Sequence, residues 1–348
     1  MDAEFVRSAR AVGASGQIMV STPQVSVLMT AYNRESFIAS AIESVLAQTF
    51  SDFELLIVDD CSQDGTPDIA RAYERLDSRI RVVVNERNLG DYCNRNRAAD
   101  LARGALLKYH DSDDLMYPHC LSVMVPMLLS EPSAGFGLSR GGTWPGGPCP
   151  MLLTPRMAYQ REFFGQGLFM CGPAGALFRA ETFRKLGGFV DYGVPSDYLF
   201  WIRACMKVSV VLLPADLFWY RLHAAQEFQS AKGRREYARM AGMAWRALDT
   251  PECPLTPEER EQAKRNVAYA TLQSMYLELK AGRWDIAWLR FRSAGLSPSD
   301  WVRYLRRPRR DRFAGTPLDA AGEYLIPDWT RARLLEVALR VAPHSESK

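Results

Sequence analysis

Residues 105–114 read ALLKYHDSDD, a mostly apolar run that closes on His110 and then on three carboxylates in four positions, Asp111, Asp113 and Asp114. The apolar half has the composition of a short buried strand. If strand geometry carried on through the tetrad, Asp111 and Asp113 would point to one side and Asp114 to the other. Like charges that close are costly unless something positive meets them. They raise a pKa or hold a cation, and clustered oxygens suit a hard ion such as Mg²⁺ or Mn²⁺. Standing alone, such a tetrad is more often a solvated turn, so its neighbours decide.

Upstream, residues 24–30 (QVSVLMT) are rich in β-branched and apolar types. After a turn at 31–34, Phe37, Ile38, Ala41, Ile42, Val45 and Leu46 recur with helical spacing. Residues 53–58 form a near-continuous apolar run closed by Asp59 and Asp60, as in a strand covered on both faces. A helix over 66–73, a strand over 80–84 and a helix over 91–102 lead to the strand 105–109 that ends at the tetrad. Strands alternating with helices imply right-handed crossovers and a doubly wound, mostly parallel α/β sheet. Ligands of such sheets bind beyond the carboxyl ends of the strands. The polar clusters at 30–33, 59–60 and 111–114 all fall there, so one cleft would collect all three.

Downstream, a helix is expected over 118–129, and residues 140–150 (RGGTWPGGPCP) read as a long loop, either a lid or an ordinary surface excursion. A strand over 172–178 and a helix over 180–186, closed by Gly187-Gly188, follow. Ser196 or Asp197 would cap a helix over 198–206, and 208–213 is another strand. From about residue 232 the texture turns helical, with helices over 235–248, 257–279, 284–291, 299–305 and 329–341. The second of these has a good start in Thr256-Pro257-Glu258-Glu259. Three parts result: a loose lead at 1–22, an α/β domain at 23–231 and a helical C-terminal module at 232–348.

Hydrophobic residues make up 47% of the 348 and charged residues 24%, the balance of a globular chain rather than a disordered one. The net charge of +3 names no acidic partner. Seven cysteines without a C-x-x-C pair argue against a disulfide framework or a zinc knuckle and favour a reducing compartment. Residues 1–22 hold no apolar stretch of signal-peptide length, and no apolar run is long enough to span a bilayer. A cytoplasmic protein is expected. Residues 301–313 carry six Arg interleaved with Trp301, Tyr304 and Phe313. That composition suits peripheral contact with the inner face of an anionic membrane, and no nucleic-acid-binding fold accompanies it.

Several pieces occur in order: VSVLMTAYNR (25–34), LAQTF (46–50), FELLIVDDCSQDGT (53–66), Asn88-Leu89-Gly90 with Arg95-Asn96-Arg97, DSDD (111–114), Gly187-Gly188-Phe189, Ser196-Asp197 and Tyr220-Arg221-Leu222-His223. Together they resemble the family 2 glycosyltransferases over roughly residues 24–230. The resemblance implies a GT-A fold and transfer of a sugar from a nucleotide-diphosphate donor, with inversion, to an acceptor hydroxyl. It sets Thr30, Ala31, Tyr32, Asn33 and Asp60, with Arg95, against the donor nucleotide. Those residue types fit, since an Asp accepts the imide N–H of uracil, a ring stacks on a base and an Arg meets phosphate. It further implies donor contacts at Asp111 and Asp113, a Mg²⁺ or Mn²⁺ site at Asp113, Asp114 and His223, diphosphate contact at Arg221, and Asp197 as general base.

Where the family commonly has Glu-Asp, this chain has Ser196-Asp197. The Gln-x-x-Arg-Trp of processive synthases is absent, Lys280 standing at the Gln position before Arg283-Trp284, so one sugar per encounter is expected. A UDP-sugar donor and a glycan, lipid-linked or protein acceptor are implied, in cell-surface polysaccharide or glycoconjugate assembly. Two other readings stay open. A nucleotidyltransferase would need a Gly-rich basic loop that residues 30–36 do not supply, and a binding protein would keep the fold without the chemistry.

Overall fold

The computed structural model describes residues 22–139, 149–165, 167–223, 230–305 and 323–324. At its centre, β1 (Val25–Ala31) and β2 (Phe53–Asp59) are buried at every position. Val25, Val27, Met29, Leu55 and Ile57 enter one core layer, whereas Leu28, Leu56 and Val58 enter the layer on the other face. Both faces are covered, which is why these strands read as apolar runs and not as alternations.

Helices α1 (Ile38–Leu46), α2 (Thr66–Leu76) and α3 (Asp91–Leu101) connect β1, β2, β3 (Ile80–Val84) and β4 (Leu106–Asp111). These four strands pair in parallel in the order β3-β2-β1-β4. The register sets Thr30 opposite both Val58 and Asp111, so three polar strand ends lie side by side. β4 stops at Asp111. The next residues form a turn in which the Asp114 amide donates to the Asp111 carbonyl at 3.1 Å. Strand-like alternation therefore does not carry through the tetrad, and each carboxylate takes its own direction.

Beyond the turn come β5 (Leu115–Met116), α4 (Cys120–Leu129), β6 (Ala134–Leu138), β7 (Met151–Leu153), α5 (Pro155–Phe164), β8 (Ala176–Arg179), α6 (Ala180–Lys185), α7 (Ser196–Cys205), β9 (Ser209–Leu212) and β10 (Phe218–Trp219). Sequence reading did not anticipate β6, β7 or α5, and the expected strand 172–178 opens with a 3-10 turn at Pro173–Gly175. With β11 (Glu323–Tyr324), the main sheet has nine strands in the order β11-β7-β9-β6-β8-β4-β1-β2-β3. Only β7 and β8 run against the rest, so the sheet is mostly parallel as expected. A separate β5-β10 ribbon brings residues 218–223 up behind the tetrad.

The C-terminal helices are α8 (Ala231–Tyr237), α9 (Met240–Asp249), α10 (Pro257–Lys280), α11 (Trp284–Ser293) and α12 (Pro298–Leu305). The Thr256 signal is realised as a full capping box with Glu259. Glu259 also meets Arg156 at 2.9 Å and Gln160 at 2.7 Å, tying α10 to α5. Met243, Ala244, Leu248 and Ala263 share one core with Tyr159 and Trp201, so the change of texture near residue 231 is not a break in the hydrophobic core. The lead at 1–21, residues 140–148, the Arg306–Phe313 part of the basic segment and the helix expected over 329–341 lie outside the described residues.

Candidate active site

A cavity of about 820 Å³ opens at the carboxyl edge of β1, β2 and β4. Thr30 and Ala31 come to it from β1, Tyr32 from the residue after it, Asp60 from the residue after β2, Arg95 from α3, Asp111 and Asp113 from the tetrad, and Asp197 from the first turn of α7. The sheet rule thus gathers residues from across nearly 170 positions of sequence into one cleft.

The charge problem of the tetrad is met differently at each side chain: Asp111 and Asp113 pair with basic groups, whereas Asp114 does not. Asp111 Oδ1 accepts from Arg95 Nη2 at 2.7 Å, and Arg95 Nε reaches Asp91 Oδ1 at 2.9 Å. Burial pushes the Asp111 carboxyl up, yet the Arg95 charge outweighs it and holds the group below the usual carboxylate range. Asp113 Oδ2 meets Arg34 Nε at 3.0 Å and His223 Nε2 at 3.1 Å. Asp114 is buried, and its Oδ1 accepts from the Arg221 amide at 3.0 Å while Oδ2 has no hydrogen-bond partner. Burial and the Asp111 charge push its carboxyl up to about 8. Beneath them Lys108 is fully buried, donating to the Tyr109 and Ala174 carbonyls. Burial pushes its ammonium below the usual lysine range.

On the base side, Tyr32 stays 44% exposed beside Asp60 at the mouth of the cleft. The Asp60 carboxylate gathers the Asn85 side chain and the Leu89 and Gly90 amides at 2.7–2.9 Å, fixing the 85–90 loop. Asp59 instead closes its own turn on Ser62. Asn33, at φ +53°, accepts from the Gln63 amide and donates its own amide to Ser62. It ties two loops together and does not line the cavity, so its place differs from the nucleotide contact expected of it.

On the far wall, burial pushes the Asp197 carboxyl up to about 7. Ser196, at the position where a Glu was expected, is buried; its hydroxyl donates to the Gly193 carbonyl and accepts from the Tyr192 amide. It staples the loop that delivers Asp197. A second brace comes from α3, where the Asn96 side chain donates to the Phe189 carbonyl at 2.7 Å and accepts from the Phe189 amide at 2.9 Å. Gly188 passes so close that a Cβ there would sit 2.6 Å from Asn96 Oδ1, and its φ of +64° suits glycine.

Arg221 also departs from expectation. Its guanidinium lies between Phe37 and Trp219 and donates to the Asp113 carbonyl at 2.8 Å, bracing the turn from behind rather than lining the cavity. Arg34 does line it, and sequence reading passed it over as a turn residue. Phe169, Met170, Lys232 and Tyr237 were missed as well, because a loop and the helical module bring them in without any local motif, and Tyr220 lines the cavity from within a motif whose other members had drawn the attention.

For a divalent ion, Asp113 Oδ2 and His223 Nε2 stand 3.1 Å apart as a ready oxygen–nitrogen pair. Among the described residues no group of three or more His, Cys, Asp or Glu side chains has metal-holding geometry. Two protein donors still suit Mg²⁺ or Mn²⁺, which take their remaining ligands from water and substrate phosphates. Asp114, whose Oδ2 has no hydrogen-bond partner, is not on the cavity wall, and neither is His223.

A mostly parallel α/β sheet with this cleft defines a GT-A-type domain. Residues 26–187, just under half of the chain, match the family model described as Glycosyl transferase family 2. TuaG of Bacillus subtilis (strain 168) is 46% identical over 92 residues, which are 26% of this chain and 36% of that protein. The Escherichia coli UDP-Glc:alpha-D-GlcNAc-diphosphoundecaprenol beta-1,3-glucosyltransferase WfgD is 39% identical over 107 residues, 31% of this chain and 42% of that one. Such matches span well under half of the relatives' length. Among solved structures, S. aureus TarS 1-349 in complex with UDP-GlcNAc aligns at TM-score 0.52 and 18% identity over 78% of this chain and 90% of that chain. The mannosyltransferase PcManGT from Pyrobaculum calidifontis, in complex with GDP-Man and Mn²⁺, aligns at 0.55 and 18% over 92% and 81%. At that identity the likeness is one of fold. Among the described residues no helix is long and apolar enough to cross a membrane.

Proposed function

We propose that the protein is an inverting glycosyltransferase that moves one sugar from a nucleotide-diphosphate donor, a UDP-sugar, to an acceptor hydroxyl. The carrying observation is the meeting of Asp60, Arg95, Asp111, Asp113 and Asp197 around one 820 Å³ cavity at the strand ends. Tyr32 and Asp60 would take the base, and Thr30 with Asp111 the ribose. The diphosphate would lie toward Asp113 and Arg34. Asp197, with its carboxyl near neutrality, suits a general base at physiological pH.

In the step proposed, the acceptor O–H gives its proton to Asp197 as the oxygen bonds to the anomeric carbon. The bond from that carbon to the diphosphate oxygen breaks, and its electron pair leaves with the nucleoside diphosphate. Attack from the face opposite the leaving group inverts the centre. Asp113 and His223 would hold Mg²⁺ or Mn²⁺, which neutralises charge on the departing diphosphate when bound. The teichuronic acid biosynthesis named for TuaG, the diphosphoundecaprenol-linked sugar named for WfgD, and the nucleotide sugars in the TarS and PcManGT complexes support this reading and a place in polysaccharide or glycoconjugate assembly.

The test is transfer and slow hydrolysis across a panel of nucleotide sugars with Mn²⁺ or Mg²⁺. Asp197→Asn is expected to abolish transfer while UDP still binds. Retained transfer in that variant sinks the base assignment, and failure of every nucleotide to bind sinks the donor reading.

A further inference from the structure

A second cavity, about 770 Å³ in volume, lies where α5, α7, α9 and α10 face one another. Its walls include Phe163, Met240, Ala244, Val267 and Ala270. Glu162, Arg234, Thr271, Ser274 and Arg290 share the lining with these apolar walls; Asn266 donates to the Phe163 carbonyl at 2.9 Å, and the Tyr198 hydroxyl donates to Glu162 at 3.2 Å. Small side chains at Ala241, Ala244, Ala270 and Ser274 on facing helices leave the space open.

Met170, Tyr198 and Tyr237 line both this cavity and the donor cleft. Tyr198 is the residue after Asp197, so the two spaces meet on the side of the proposed base. An inverting displacement needs its acceptor on that side, away from the diphosphate.

We infer that the second cavity is a subsite for the acceptor's aglycone, and that the acceptor is an amphiphilic glycoside whose sugar reaches Asp197 while its apolar portion lies between α9 and α10. The inference rests on the glycosyltransferase reading for its orientation. Apolar side chains offer an alkyl, isoprenoid or aryl group the burial it lacks in water. Free sugars, which bring no such group, would use only the cleft.

The experiment compares octyl and methyl β-D-glucopyranoside, the former below its critical micelle concentration, by ligand-observed NMR titration on the full chain. Octyl glucoside is expected to bind the wild type at least ten-fold tighter than the methyl glycoside. Ala270→Trp on α10 and Ala241→Trp on α9, which fill the space from opposite walls, are expected to erase most of that difference while UDP affinity stays within two-fold. Equal binding of the two glycosides by the wild type, or an octyl preference that survives both fillings, overturns the subsite. UDP binding lost together with the octyl preference also overturns it, because the space would then belong to the donor site. Absence of UDP binding in the wild type counts against the glycosyltransferase reading instead, so the two failures are told apart.

Discussion

Asp111 and Asp113 stand two positions apart and are answered by different cations, Arg95 from α3 and Arg34 from the β1–α1 turn. The carboxylates themselves were legible, because three acids after an apolar run are a local pattern. Their partners were legible only in part, since Arg34 owes its role to a strand register that no short window contains. Arg95 is nearly buried, so removing it strands a carboxylate. Arg95→Met is expected to lower stability by roughly 3 kcal/mol in urea unfolding, with Arg95→Met/Asp111→Asn recovering much of the loss. Simple additivity of the two single changes would argue that the pair is not coupled. Asp197 sets the pH response. Its carboxyl is raised to about 7, so the base form is scarce below that pH and dominant above it. The acid limb of kcat/KM should therefore rise through about pH 7; a limb near pH 4 would show a base of ordinary acidity.

Among elements, β1, β2, α3 and α10 were read nearly to the residue, the strands from their apolar runs and α10 from its Thr256-Pro257-Glu258-Glu259 start. β6 was not, because its sequence AGFGL looks like a loop. The structure supplies the reason for the glycines. A Cβ on Gly135 would sit 2.7 Å from Thr182 Cγ2, and one on Gly137 would sit 2.7 Å from Leu213 Cδ1, so α6 and the end of β9 press directly on the strand. Gly137→Ala should cost about 1–3 kcal/mol through overpacking, read as a lower melting temperature. An unchanged melting temperature would mean that Leu213 yields freely. α5 was missed despite a proper start, with Thr154 capping the Met157 amide and Pro155 at the first turn. Its apolar positions serve two partners, the sheet and the helical module, and this blurs a single amphipathic stripe.

Over the whole molecule, the division near residue 231 was read from a change in texture, and the packing qualifies it. Met243, Leu248 and Ala263 complete the layer that Tyr159, Phe178 and Trp201 begin. Calorimetry should therefore find one cooperative transition covering both parts, and two separated transitions would contradict a shared core. Leu248→Ala should lower that single transition as a core truncation does, by about 2–5 kcal/mol. The cleft itself depends on this union, since Lys232 and Tyr237 of α8 complete a cavity otherwise built by the α/β sheet.

Consecutive residues on α3 do unlike jobs: Arg95 faces the tetrad, and Asn96 grips the segment that leads to Asp197. One residue added to or removed from the first turn of this helix would rotate both by about 100° and break the two attachments together. α3 is thus a place where the chain can exchange residues but cannot change length, and insertions that vary specificity must be accommodated in the loops on either side of it.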